Sequence, residues 1–238
     1  AKANIDSGSL QASGSYGMDS GALQASGSWS GLDPARLTPD MDGQLWQGET
    51  SGSINVEGNA KTQVWQAQAS ATADAAQLGG VPVSALQAEG SLNADGLLLA
   101  SASGNVAGGS FFANGGKSAR TIAGHLELAG VQLAALAAPF NVSADGVGQL
   151  AADVRGTPEE PQISLALAAQ DGKLMAQPFT LAKAELTVDG KKRVEIKRAW
   201  LGDVDKGHSA QGSVDFGGAE PMLAVTLRTQ GVRLEPVA

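Results

Sequence analysis

The chain has no cysteine among its 238 residues. Disulfides, thiolate metal sites and a cysteine nucleophile are therefore excluded. A chain without cysteine also crosses an oxidising compartment with no risk of mispairing. Histidine is nearly absent: His125 and His208 stand alone in "AGHLEL" and "KGHSAQ", with no second histidine at ligand spacing. Both read as ordinary polar-face residues rather than metal ligands. Aromatics make up 4% of the chain, which argues against a compact core of large rings. Basic residues are in deficit, 16 Lys and Arg against 24 Asp and Glu, for a net charge of −8. Phosphate binding needs clustered Lys and Arg, so nucleic acid is not expected as a partner. The short basic run Lys191-Lys192-Arg193 follows Asp189-Gly190 and reads as a solvated hairpin tip. Long apolar runs are missing too. The longest uncharged stretch, Gly96 to Gly116, holds six glycines and is too polar for a membrane span. No secretory signal is read. The opening "AKANIDSGSL" already alternates like a strand, which points to a piece of a longer protein whose targeting segment lies elsewhere.

Catalytic signatures are equally scarce. Serine is abundant, but there is no Gly-x-Ser-x-Gly elbow. Glu159-Glu160 sits between Pro158 and Pro161, an exposed turn rather than a buried carboxylate pair. The Asp-Gly pairs lack both the EF-hand loop and the calcium nonapeptide of β-rolls. No phosphate-cradling glycine loop leads into a helix. The expectation is a protein that is not an enzyme and carries no cofactor.

What the chain has is glycine, 32 residues, about twice the usual ~7% share, together with alanine, valine and leucine in strict alternation. Leu150, Ala152 and Val154 alternate with Gln149, Ala151, Asp153 and Arg155. The same alternation holds for Ile163, Leu165 and Leu167; Leu186 and Val188; Val194 and Ile196; Leu223, Val225 and Leu227. Period two puts successive side chains on opposite faces, so each segment predicts a strand with one apolar and one wet face. Turn signals fall at Asp95-Gly96, Asn114-Gly115-Gly116, Asp145-Gly146, Asp171-Gly172, Asp189-Gly190 and Gly217-Gly218. Short hairpins make the sheet mainly antiparallel. Two stretches break the alternation. "GLDPARLTPDMDG" offers Asp33 as an N-cap, Pro34 at the first helical position and Leu37. "GVQLAALAAPFNVSADG" spaces Val131, Leu133, Leu136 and Ala137 helically and stops at Pro139. Each predicts one or two helical turns docked on the sheet.

The chain repeats itself. "SGSLQASGS" at Ser7–Ser15 returns as "SGALQASGS" at Ser20–Ser28. On a longer scale Gly31-Leu32 matches Gly130-Val131, 99 residues on, and Gly231-Val232, a further 101 on, with Leu234 echoing Leu133. This predicts the end of a preceding repeat at 1–30, repeat units at 31–129 and 130–230, and the start of another at 231–238, all in one elongated domain.

Strands such as "SLQASG", "QAQASATA" and "LLLASASG" are too poor in bulk to fill the ~10 Å gap of a sandwich. An ordinary sandwich remains the alternative, with Trp29, Trp46, Trp65, Trp200, Phe111, Phe112, Phe140, Phe179 and Phe216 as its plugs. The favoured fold is all-β: an elongated, mainly antiparallel sheet curled over an open apolar lumen, with one or two very short helices. Its lining would be Ile54, Val56, Ile122, Leu126, Leu128, Leu150, Val154, Ile163, Leu165, Leu167, Leu186, Val188, Val194, Ile196, Val214, Phe216, Leu223, Val225 and Leu227.

"GVGQLAADVRGTPEEPQISLALAAQDGKL" resembles the repeat of the TamB / AsmA-like family. The matching elements are Gly148-Gln149-Leu150, then Gly156-Thr157-Pro158 and Pro161, then an alternating strand ending near Gly172. The resemblance covers Gly130 to Ala238 well and Gly27 to Gly124 more weakly, because "GNAKTQ" stands in place of "GTPEEPQ". It implies a taco-like periplasmic β-groove in an inner-membrane-anchored protein of a diderm bacterium. It also implies membranes at both ends, a TamA/BamA-like outer-membrane barrel as partner, and a role in outer-membrane biogenesis. The function so implied is movement of phospholipid, or another acyl-chain ligand, along the groove. One rival is a scaffold offering a groove or sheet edge to outer-membrane β-barrel proteins. In either case charge on Lys191, Lys192, Arg193, Glu195 and Lys197 would guard an edge. A second rival is the β-solenoid stalk of an adhesin, disfavoured because such coils repeat every ~20–30 residues.

Overall fold

The alternating segments do form strands, and almost nothing else forms. The computed structural model describes residues 2–5, 8–33, 46–175, 177–190, 192–203, 205–218 and 221–231. The chain divides into two compact units, Ala1–Thr121 and Ile122–Ala238. The fold is all-β and antiparallel, and the sheet does not close into a barrel. In the first unit the strands are β1 (Lys2–Ile5), β2 (Gly8–Tyr16), β3 (Ala22–Leu32), β4 (Trp46–Gln47), β5 (Thr50–Asn59), β6 (Val64–Leu78), β7 (Val81–Leu92), β8 (Leu98–Val106) and β9 (Gly109–Lys117). They pair in sequence order, except that β3 pairs with β5 and the two-residue β4 pairs with β6. In the second unit they are β10 (Ile122–Gln132), β11 (Ala144–Gly156), β12 (Pro161–Leu174), β13 (Gln177–Asp189), β14 (Arg193–Gly202), β15 (Gly207–Asp215) and β16 (Met222–Gln230), in sequence order. Among the described residues one helix, α1 (Leu133–Ala137), runs into a 3₁₀ turn, Ala138–Phe140.

Several strands are longer than the turn signals predict, and glycine is the reason. Asp145-Gly146 lies inside β11, where Gly146 (φ 111°) sits at a register shift between Asp145 and Val147. Asp171-Gly172 lies inside β12 and Asn114-Gly115-Gly116 inside β9. These three signals mark irregular or closely packed strand backbone rather than reversals. The signals at Asp95-Gly96, Asp189-Gly190 and Gly217-Gly218 do fall between strands. The second helix reading is trimmed: Val131 belongs to β10, and the helical turns continue through Pro139 to Phe140. The first, over Pro34 to Leu37, lies outside the described residues, as do Lys191, Val232 and Leu234. β14 lies between β13 and β15, so Arg193, Glu195 and Lys197 occupy an interior strand and guard no edge.

Aromatics and glycines are matched across strands. Trp29 faces Gly52, Trp65 faces Gly58, Phe111 faces Gly104 and Phe179 faces Gly172. At each of these glycines an added Cβ would run into the partner's ring. Each ring therefore lies on bare backbone, and a few aromatics cover the area that a thicker core would need many to fill. This replaces the sandwich, in which those rings would plug a gap between two sheets.

The same devices recur in both units. Gly31 (φ 62°) and Gly130 (φ 67°) each sit in a register shift, between Trp29 and Leu32 and between Leu128 and Val131. Each shift inserts one extra residue. An odd step along a strand would otherwise turn Leu32 and Val131 to the opposite face. Both side chains are instead buried, Leu32 at 4% and Val131 at 1% exposure. Gly231 has φ 64° as well. Buried Ala73 and Ala169, and buried Val83 and Phe179, are likewise equivalent, each pair 96 residues apart. A Cβ at Gly130 would touch nothing within 4 Å, so Gly130→Ala isolates the backbone cost of the left-handed conformation. Thermal or urea unfolding is expected to show a loss of about 1 kcal/mol.

Candidate functional site

Cross-strand register decides which side chains share a face. In the second unit three rows run from β10 to β16. The first is Leu128, Leu150, Leu167, Ala184, Ala199, Ala210 and Leu227. The second is Leu126, Ala152, Leu165, Leu186, Ile196, Gly212 and Val225. The third is Gly124, Val154, Ile163, Val188, Val194, Val214 and Leu223. Ile122 and Phe216 extend the same face by alternation beyond Gly124 and Val214. Every lining residue read from the second unit's sequence therefore lies on one face. None of them is fully buried, and exposure reaches 51% at Phe216 and 76% at Leu227. Among the described residues the face is a continuous aliphatic surface, half-buried over most of its strands and most exposed at β16.

One margin of this face is closed. Val131, Gly148 and Ala169 form the next row. Leu133 of α1 folds over Gly148, its Cδ2 2.7 Å from where a Cβ would stand. The helix thus borders the apolar side, where the sequence predicted a docked turn.

In the first unit the face is thinner. Ile54 shares its row with Gly27, Ala69, Gly90, Ala100 and Gly115. Val56 shares its row with Ala25, Ala67, Leu92 and Leu98. Trp29 and Trp65 contribute to this face, and the lining read from sequence omitted them. Each stands across from a glycine, a pairing that only register reveals.

The opposite face is polar in both units. In the second it carries His125, Glu127, Asp153, Lys183, Glu185 and Arg198. Arg198 and Glu185 form an ion pair across β13 and β14. A concavity of about 400 Å³ opens on this side over Ala151, Ala166 and Ala168. His208 departs from its polar-face reading: it shares a row with Ala182 and Leu201 and meets Thr229 at 3.1 Å.

His125 lies on the polar face as read, with Nδ1 2.9 Å from Asp153 and Nε2 3.1 Å from Glu127. The hydrogen bond to Asp153, then that to Glu127, raises its pKa above 6.5; desolvation opposes this only in part. With the folded pKa raised, the imidazolium's stabilising effect is complete below about pH 6.5 and is lost as pH rises through the folded value. His125→Gln is therefore expected to lower the melting temperature at pH 6 and to have a much smaller effect at pH 8.5. Equal effects at both pH values would refute the pairing.

Among the described residues no helix is long and apolar enough to cross a membrane. Comparison of the chain with protein-family models, curated proteins and solved structures finds no match.

Proposed function

We propose that the apolar sheet face holds acyl chains, and that the chain is part of a periplasmic, TamB-like protein whose groove carries phospholipid between membranes. The observation behind this reading is the continuous aliphatic face of the second unit, three rows deep over seven strands. Neighbouring strands lie about 4.8 Å apart, so a row crosses about 30 Å of sheet, enough to lie along an extended acyl chain. Each methylene taken from water contributes about 0.8 kcal/mol and needs no directional bond. Such a surface favours passage along it over capture at one point. The face also supplies no hydrogen-bonding side chain between Ile163 and Val194 along the third row. That suits hydrocarbon and suits no polar client.

The test is photo-crosslinking from Leu165 and Val188 in cells, with the chain in its natural full-length setting. Lipid adducts are expected. Adducts to outer-membrane β-proteins alone would sink the lipid reading and favour the scaffold. Purified protein that never carries lipid in native mass spectrometry after mixing with phosphatidylethanolamine and phosphatidylglycerol vesicles would count against it equally.

A further inference from the structure

The polar faces of the two units differ in a way their shared fold does not require. The second unit's concavity carries four charged residues, Glu127, Lys183, Glu185 and Arg198, among leucine and alanine positions such as Leu150 and Ala166. The first unit has a concavity of about 560 Å³, also on its polar face, whose lining holds one charged residue, Glu89. The rest of its polar wall is hydroxyl and amide: Ser53, Ser70 and Ser101 in the row of Glu89, and Asn55, Gln68 and Ser91 in the next. A merely solvated sheet face ordinarily mixes Lys, Arg, Glu and Asp over about a quarter to a third of its surface. The second unit's does so and this one does not.

These groups sit on four hydrogen-bonded strands, β5 to β8, so their positions are fixed by register before any ligand arrives. Ser53 and Ser70 already exchange a hydrogen bond at 3.1 Å, each keeping further donor or acceptor capacity. Two apolar side chains stand out of the same face: Leu99, which lines the concavity, at 49% exposure, and Phe112, on the neighbouring strand β9 just outside the lining, at 43%. Leu99 is paired with Ser91, and Phe112 with Ser103. Neutral donor–acceptor groups, one carboxylate and an exposed ring match a ligand with hydroxyls on its edges and C–H groups on its faces. Nothing in the concavity suits a phosphate or a polycation. The serine row also steps by about 4.8 Å per strand, close to one pyranose unit.

We propose that this concavity binds a neutral oligosaccharide, its hydroxyls on the serine, amide and Glu89 groups and a sugar face against Phe112. The site lies on the side opposite the apolar rows and does not depend on the lipid reading.

The experiment is titration of the whole chain with cellohexaose and, separately, chitohexaose, followed by amide chemical shifts and calorimetry. Saturable binding of at least one is expected, with shifts at Ser70, Glu89 and Ser101. Ser70→Lys, whose ammonium would stand opposite Glu89, and Phe112→Ala are each expected to weaken it at least about tenfold. Ala166→Leu, in the other unit's concavity, is expected to leave it unchanged, and acyl-chain binding should be unaffected by Ser70→Lys. No saturation by either sugar at about 10 mM, or equal loss in Ala166→Leu, overturns the proposal. So does preferential binding of dextran sulfate, which would show an anion site instead.

Discussion

Leu165→Glu is expected to reduce acyl-chain binding by an order of magnitude or more while leaving the chain folded. Leu165 occupies the middle of the second apolar row, with Ala152 on one side and Leu186 on the other. A leucine there covers about three methylenes of a chain lying along the row, at about 0.8 kcal/mol each. Losing them costs about 2 kcal/mol, or about thirty-fold in affinity, before the added expense of a carboxylate against hydrocarbon. Because Leu165 is only half-buried without ligand, the free protein keeps its new charge in contact with water. Displacement of a fluorescent fatty acid measures the affinity, and circular dichroism checks the fold. Gln162→Glu is the control: it adds the same charge three residues away but on the polar face, between Arg155 and Asp189. If both variants bind equally well, the apolar face is not the binding surface.

That contrast works because period two was the most legible feature of the chain. In "QISLALAA" every second residue is aliphatic, and register carries that phase from strand to strand along the three rows, with one slip taken up by the bulge between Ile196 and Ala199. Bulges were less legible. Asp-Gly serves equally as a hairpin corner and as irregular strand backbone, since both use the positive φ that glycine tolerates. Asp189-Gly190 became the first, Asp145-Gly146 the second, and the local sequence does not separate them. Edge position was also hidden. A charged strand such as β14 looks guarded from sequence, yet its charges face outward from the interior of a sheet. The aromatic–glycine pairs and the hydroxyl- and amide-rich polar face of the first unit were present in the letters. Neither acquires meaning until register brings distant residues opposite one another.

Phe179→Ala should have the largest effect on stability of any single truncation in the second unit. Few of that unit's apolar side chains are fully buried. Phe179, at 6% exposure, is the one aromatic side chain among them in the described residues. Its ring lies over Gly172, which has no side chain to move into the space left behind. Truncation therefore leaves a cavity that cannot collapse, with a cost of about 3–5 kcal/mol. For a unit of this size that lowers the melting temperature by about 10 °C or more. Phe179→Leu, which keeps most of the volume, is expected to cost about a third as much. Val83→Ala, at the equivalent buried point of the first unit, should cost about 2 kcal/mol. The two classes of variant then separate by readout: Phe179→Ala changes unfolding, and Leu165→Glu changes binding. A silent Phe179→Ala would mean that the large aliphatic face, rather than these few buried points, holds the unit together. That face would then not be free to exchange its contacts for those of a passing acyl chain.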